Sequence, residues 1–304
     1  MSNTAEELLR GAVDVHAHSY PELSLSYDSR ISNYDWAVMA KECGLRGYVL
    51  KSHVWPTVMQ AYELSRLVEG VMVMGSVTLN YTVGGLSPAA VALAGELGGK
   101  VVFMPTWSSR NDIARSGVTL NRIRAFCPQI DDTVRRENGG ITVLDEAGKV
   151  KAEVSDIMDI ARHYGMAVSS GHLSPAETLK LAELAAVKGV RFTFSHPHIK
   201  SVSGTAEQQA EAAAAGAWIE HTFIACMPMH VRVDPKDIAK SIEAVGVDHA
   251  IMSSDAFGPW NPPEPELMRM YIATMLNIGF SADEVRKMVQ TNPARYLGLE
   301  TEQE

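Results

Sequence analysis

The sequence predicts an α/β fold, a (β/α)8 TIM barrel, from three observations. Eight short apolar runs alternate with amphipathic stretches along 304 residues, the pattern of parallel strands joined by crossover helices. Six of the seven intervals between strand starts fall between 24 and 34 residues, about one βα unit each. Eight is also the strand number at which such units close into a barrel.

Taken in order, the first strand is AVDVHAH (12–18), an apolar run that ends on two histidines. Alternate residues of a strand share a face, so Asp14, His16 and His18 are expected to point the same way. Three polar groups on one buried face cost free energy unless something pairs with them. The helix DWAVMAKECG follows, then the strand RGYVLKSH (46–53) and the helix TVMQAYELSRLVEG. VMVMGSVTLN (71–80) is the third strand, SPAAVALAGELGG the next helix, and KVVFMPT (100–106) the fourth strand. MAVSSGH (166–172), VRFTFSH (190–196), AWIEHTFI (217–224) and HAIMSSDA (249–256) complete the set. SPAETLKLAELAAVKG and AEQQAEAAAAGA (206–217) supply helices between them. Ser-Pro openings and glycine endings give these helices the expected cap-to-stop order.

The exceptional interval, 66 residues, follows the fourth strand. It marks an insertion at 107–164, expected to cover the C-terminal mouth as a lid. Its first part is polar and reads as loop or short helix. GGITVLDEAGKVKAEV reads as a β-hairpin around the turn Asp145-Glu146-Ala147-Gly148. No linker, repeat or low-complexity tract divides the chain, so residues 1–304 are expected to form one domain.

A net charge of −9 without a basic cluster argues against nucleic-acid and anionic-membrane partners. The start MSNTAEELLRG lacks the character of a signal peptide, and no apolar stretch is long enough to span a bilayer. Cys43, Cys127 and Cys226 are scattered, as expected of a reduced, cytoplasmic protein.

The histidines carry most of the functional information. His16 and His18 close strand 1, His53 strand 2, His172 strand 5 and His196 strand 6; His221 lies within strand 7 and Asp255 closes strand 8. Barrel enzymes place their chemistry where these strand ends converge. His163 and His249 fall elsewhere and read as surface residues. A lone buried histidine is commonly satisfied by a backbone carbonyl. An HxH pair with further strand-end histidines and an aspartate instead matches the imidazole and carboxylate set preferred by Zn²⁺ and similar ions.

The motif DVHAH, the histidines ending strands 5 and 6, SSDAFG at strand 8 and the tail TNPARYLGLE resemble the amidohydrolase superfamily of metal-dependent barrel hydrolases. The resemblance runs from residue 12 to 300 and is specific for the superfamily but not for a substrate. It implies that His16 and His18 bind one metal, that His172 and His196 complete it or hold a second, and that Asp255 is both ligand and proton carrier. The metal it implies is Zn²⁺, with Mn²⁺ or Fe²⁺ as alternatives, one or two per chain. The chain departs from the pattern at strand 4, where many binuclear members carry a bridging carboxylated lysine and this one has MPTWSS. Lys51, on the face of His53, is the substitute candidate: a buried neutral amine can take up CO₂. Without that bridge, one metal on His16, His18, His172 and Asp255 leaves His196 beside it as proton shuttle or oxyanion stabiliser.

The expected reaction is hydrolysis of an amide, lactam, lactone or ester bond in a small molecule by metal-activated water. His53 and His221 are orientation or oxyanion candidates, or else support the ligands. Asn80 and Trp107 are candidates for contact with substrate. Trp55, Phe223, Phe257 and Trp260 offer further aromatic wall, and Arg110, Arg115, Arg122 and Arg124 could reach a substrate carboxylate. The rival reading on this fold is non-oxidative decarboxylation of an aromatic or unsaturated acid. Phosphoester hydrolysis and a non-catalytic metal-storing barrel fit less well, given the missing basic cluster and the intact Asp255. Self-association into a homo-oligomer is expected by analogy of fold.

Overall fold

The computed structural model describes residues 2–18, 20–25, 31–136, 139–258 and 260–299. Eight parallel strands form one sheet in sequence order: β1 (Val13–His18), β2 (Gly47–Lys51), β3 (Met72–Thr78), β4 (Val101–Phe103), β5 (Ala167–Ser169), β6 (Phe192–Ser195), β7 (Trp218–Thr222) and β8 (Ala250–Ser253). The sheet curls back on itself past the strand ends. Ala17 bridges Ala256, the His18 amide donates to the Ala256 carbonyl at 3.0 Å, and the Asp255 amide to that of His16 at 2.9 Å.

The described helices are α1 (Ser2–Leu9), α2 (Asn33–Cys43), α3 (Val58–Leu67), α4 (Pro88–Glu96), α5 (Arg110–Arg115), α6 (Val118–Phe126), α7 (Ile130–Arg136), α8 (Ala152–His163), α9 (Pro175–Lys188), α10 (Ala206–Ala214), α11 (Pro235–Val245), α12 (Glu264–Ile278), α13 (Ala282–Arg286) and α14 (Asn292–Leu297). Ser174 and Glu177 form a capping box on α9, and Gly189 ends that helix in the left-handed region, as the sequence predicts. Gly75 on β3 permits the close approach of α3, because a Cβ there would collide with the Val58 backbone. Val13, Val15, Val49, Val101, Phe103 and Ile251 pack with Tyr296 and Leu297 of α14 as the barrel interior. Two larger apolar clusters fill the space between strands and outer helices. Among the described residues, no helix is long and apolar enough to cross a membrane.

The polar first half of the insertion is three short helices, α5 to α7, within the loop-or-short-helix expectation, and the rest of it differs. The expected hairpin shrinks to a turn closed by one antiparallel bridge, Leu144 to Val150. The Lys151 amide still bonds to the Val143 carbonyl at 3.0 Å, but the paired segments are too short to count as strands. The end of the segment belongs elsewhere: α8 packs against α4 and α9 and is the outer helix that returns the chain to β5.

Asp14 also departs from the sequence expectation. Residues Asp14, Ala17 and His18 pair with Tyr48, Leu50 and Lys51, so Val15 and His16 together oppose Val49. This β-bulge turns both Val15 and His16 inward and leaves Asp14 on the outer face. There Asp14 meets the buried Glu264 of α12. Burial pushes Asp14 up to about 7 despite amide hydrogen bonds from Ser254 and His16. Burial, and then the Asp14 carboxylate beside it, hold Glu264 well above its ordinary 4.5. The folded state therefore keeps protons that the unfolded chain releases, and stability falls as pH rises above about 4.5 towards the folded values. Glu264→Gln removes one of these groups. Its melting temperature should gain on wild type by about 2 °C or more between about pH 5 and pH 8. An equal gap at both pH values would mean that Glu264 ionises alike in both states.

Candidate metal centre

The first group is built on β1, β6 and β8. His16 Nδ1 lies 2.8 Å from Glu220 Oε1, and its Nε2 lies 2.8 Å from Lys51 Nζ and 3.1 Å from Asp255 Oδ1. Ligand atoms of His16, His196 and Asp255 fall within 4.8 Å of one another, and all three are buried to solvent on most of their surface. His196 follows β6 directly and Asp255 lies two residues past β8, and both hold left-handed backbones, with φ of 32° and 50°. Non-glycine residues rarely adopt this region, at a cost of about 1–3 kcal/mol, and do so where surroundings enforce it. Here the His196 amide is tied to the Glu220 carbonyl at 2.8 Å, and the Asp255 amide to His16.

The second group adjoins the first. His18 Nε2 sits 3.1 Å from the same Asp255 Oδ1, and its Nδ1 lies 3.4 Å from Glu22 Oε1. Glu22 Oε1 also accepts from the His53 amide and faces its Nδ1, each at 2.5 Å. The rings of His18 and His53 stack at 4.4 Å. His172 stands beside the first group, its ring 4.8 Å from that of His196 and its Nδ1 3.3 Å from Asp112 Oδ2. Gly171 makes that position possible. Its φ is 58°, and a Cβ there would collide with the Met104 carbonyl.

Burial lowers the pKa of Lys51, against the pull of Asp255, Glu220 and Glu22, and so favours its neutral amine. Burial, then His172, hold His196 well below the ordinary imidazole value. Burial alone would raise Asp255, but His16, His18 and His196 outweigh it and keep the carboxylate ionised. Burial and Lys51 oppose the charged form of His18, yet its bonds to Asp255 and Glu22 raise it. Burial, then His18, push His53 down to about 3.

These donors fit a cation. Glu220, held below the ordinary carboxylate range chiefly by its pairing with His16 against burial, accepts a hydrogen bond from the His16 Nδ1–H. The Nε2 lone pair then faces both Lys51 Nζ at 2.8 Å and the ionised Asp255 oxygen at 3.1 Å, and the second pairing is repulsive unless Lys51 or a bound cation supplies positive charge. His196 Nδ1 is also buried without a hydrogen-bond partner. The carboxylate–imidazole arrangement of Glu220 and His16 is the support that metal-binding histidines usually have.

Three expected site residues lie elsewhere. His221 follows Glu220 on β7, and since Glu220 points inward, His221 points out; its ring meets His198 at 5.4 Å. Asn80 is fully buried, with its amide on the His53 carbonyl and Thr106 and its oxygen accepting from Thr106 and Ser108. Trp107 is equally buried and donates to the His53 carbonyl at 2.8 Å. Asn80 and Trp107 thus brace the loop that carries His53 rather than touch the cavity. Of the expected aromatics, Phe257 lines the cavity, Phe223 is core, and Trp55 and Trp260 are exposed. Glu220 and Glu22 were missed; the one signal was a glutamate inside the apolar run AWIEHTFI.

A cavity of about 440 Å³ opens onto both groups, with His18, Lys51, His53, His172 and Asp255 at its base. Residues of α5 and α6, among them Asp112 and Arg122, form part of its wall.

The parallel barrel thus gathers buried imidazole and carboxylate groups beyond the C-terminal ends of its strands. Residues 11–220 match the model of a family of unknown function, DUF6282, and the chain belongs to that family. No curated protein matches the sequence. Among solved structures, it is similar to an amidohydrolase from Pseudomonas aeruginosa, at 12% identity and a TM-score of 0.61, covering 96% of this chain and 98% of that one. A probable dipeptidase from the same organism aligns at 13% identity and a TM-score of 0.60, covering 98% and 97%. The phosphotriesterase homology protein from Escherichia coli aligns at 13% and 0.55, covering 94% and 98%. At such identities the likeness is one of fold.

Proposed function

We propose that the chain is an enzyme, a metal-dependent hydrolase that cleaves an amide, lactam, lactone or ester bond of a small molecule. The observation that carries this reading is Asp255 Oδ1, shared at 3.1 Å by His16 Nε2 and His18 Nε2 at the base of an open cavity. His16, His196 and Asp255 would hold one divalent ion, Zn²⁺ by the chemistry of the donors, and His18, Glu22 and His53 are placed for a second. Such an ion, when bound, polarises a carbonyl and lowers the pKa of water.

The protein's own groups supply the rest. Asp255, ionised and facing the cavity, accepts the proton of the attacking water and passes it to the leaving group. His172 keeps Nδ1 towards Asp112, which leaves Nε2 for the cation or the substrate oxygen. Burial lowers the pKa of Lys51 and so favours the neutral amine that could take up CO₂ as a carbamate, with release of one proton, if two ions are bound. The superfamily fold, with hydrolases among its similar structures, supports the same reading.

The test is turnover of a panel of simple esters, lactones and N-acyl amides, before and after chelation and again after zinc is restored. Hydrolysis should fall to background on chelation and return with zinc, at one equivalent per chain, or two if Lys51 bridges. Hydrolysis indifferent to chelation would overturn the reading. Release of CO₂ from an unsaturated acid, with no hydrolysis, would establish the decarboxylase instead.

A further inference from the structure

We infer that Arg122 is the anchor for a carboxylate on the substrate, so that this enzyme acts on small acids that carry the scissile bond and a free carboxylate. The inference rests on the hydrolase reading and narrows it to a substrate class. Four arginines of the β4 insertion were candidates, and the structure separates them. Arg124 is spent on Asp131, at 2.5 Å. Arg115 is exposed at the end of α5, and Arg110 borders a different cavity beside Arg136 and Glu153. Arg122 alone of the four lines the cavity above the histidines.

Its position is fixed without the use of its hydrogen bonds. The guanidinium lies over the Phe257 ring, 5.6 Å from the centroid, and that ring is 5.0 Å from His18 and 5.4 Å from His53. Stacking on an aromatic face engages the plane of a guanidinium and leaves its edge donors free. The cavity's carboxylates are committed elsewhere: Asp112 faces His172 at 3.3 Å, and Asp255 faces His16 and His18. Among the described residues, no carboxylate pairs with Arg122, while Lys200 adds a second cation to the wall. A half-buried cation with free donors, one aromatic ring away from the candidate ligands, matches a planar anion held bidentately. A single guanidinium with one exposed lysine suits a carboxylate better than a phosphate dianion, which draws more positive charge. The cavity volume of about 440 Å³ suits a small acid.

Calorimetric titration of the zinc-loaded protein with 5-methoxypentanoate, 1,5-dimethoxypentane and inorganic phosphate, none of which carries a bond that a hydrolase of this kind cleaves, tests this. The monoanion should bind and the neutral diether should not. Arg122→Gln should weaken the monoanion by about tenfold to a hundredfold, as expected for hydrogen bonds to a charged partner, and Arg122→Lys should fall between. Zinc content should be the same in all three proteins, which shows that the fold and the metal groups are intact. Equal affinity in Arg122→Gln, equal binding of the neutral diether, or no anion bound at millimolar concentration would overturn the anchor. Tighter binding of phosphate would overturn the carboxylate assignment. Because the titration reads binding and no turnover, its failure is separate from failure of the hydrolase reading.

Discussion

Replacing His16 and His18 together with alanine should abolish zinc binding and reduce turnover to background. His16 is the more connected residue, bonded to Glu220 through one nitrogen and facing Lys51 and Asp255 through the other. His18 gives up the second imidazole on Asp255 Oδ1. Loss of a supporting group alone costs about 10–100-fold in metal affinity, and two direct ligands cost more. The double variant also leaves the ionised Asp255 and Glu220 in the barrel without their imidazole partners, so a lower melting temperature should accompany the loss. Elemental analysis, turnover and circular dichroism on one preparation make the comparison. A folded variant with normal turnover and no metal would return both histidines to a purely structural role.

Much of this site was legible in the sequence because barrel topology converts strand ends into neighbours. His16, His18, Lys51, His172, His196 and Asp255 come from five strand ends, and order along the chain was enough to bring them together. What the pattern could not supply was side-chain direction. The bulge in β1 breaks the alternation on which Asp14 was placed, and nothing local announces a bulge. In β7, residues on both faces are buried, so WIEHT gives no polar-outward rhythm to decide between Glu220 and His221. Histidine drew attention that the glutamate had a better claim to. Asn80 and Trp107 were located at the right height but are consumed by hydrogen bonds to the loop behind His53, a use that only contact geometry reveals.

Asp255→Asn separates the role of proton carrier from that of ligand. The change is isosteric, and asparagine tolerates the left-handed backbone that Asp255 occupies, with φ of 50°. The amide bond to the His16 carbonyl is backbone and survives, so the fold should persist. What disappears is the negative charge between His16 and His18 and the only basic oxygen they share. An amide cannot take a proton from water at neutral pH, so turnover should drop by about 10²–10⁴-fold, the usual contribution of general acid–base catalysis. With zinc in excess, His16 and His196 still offer nitrogens, so some metal should remain bound while kcat stays low. The pH profile adds an independent reading, because the acidic limb set by the Asp255 carboxylate should vanish with it. Near-normal kcat would remove Asp255 from proton transfer, and the search for the base would pass to His172, which lines the cavity and faces Asp112 of the insertion.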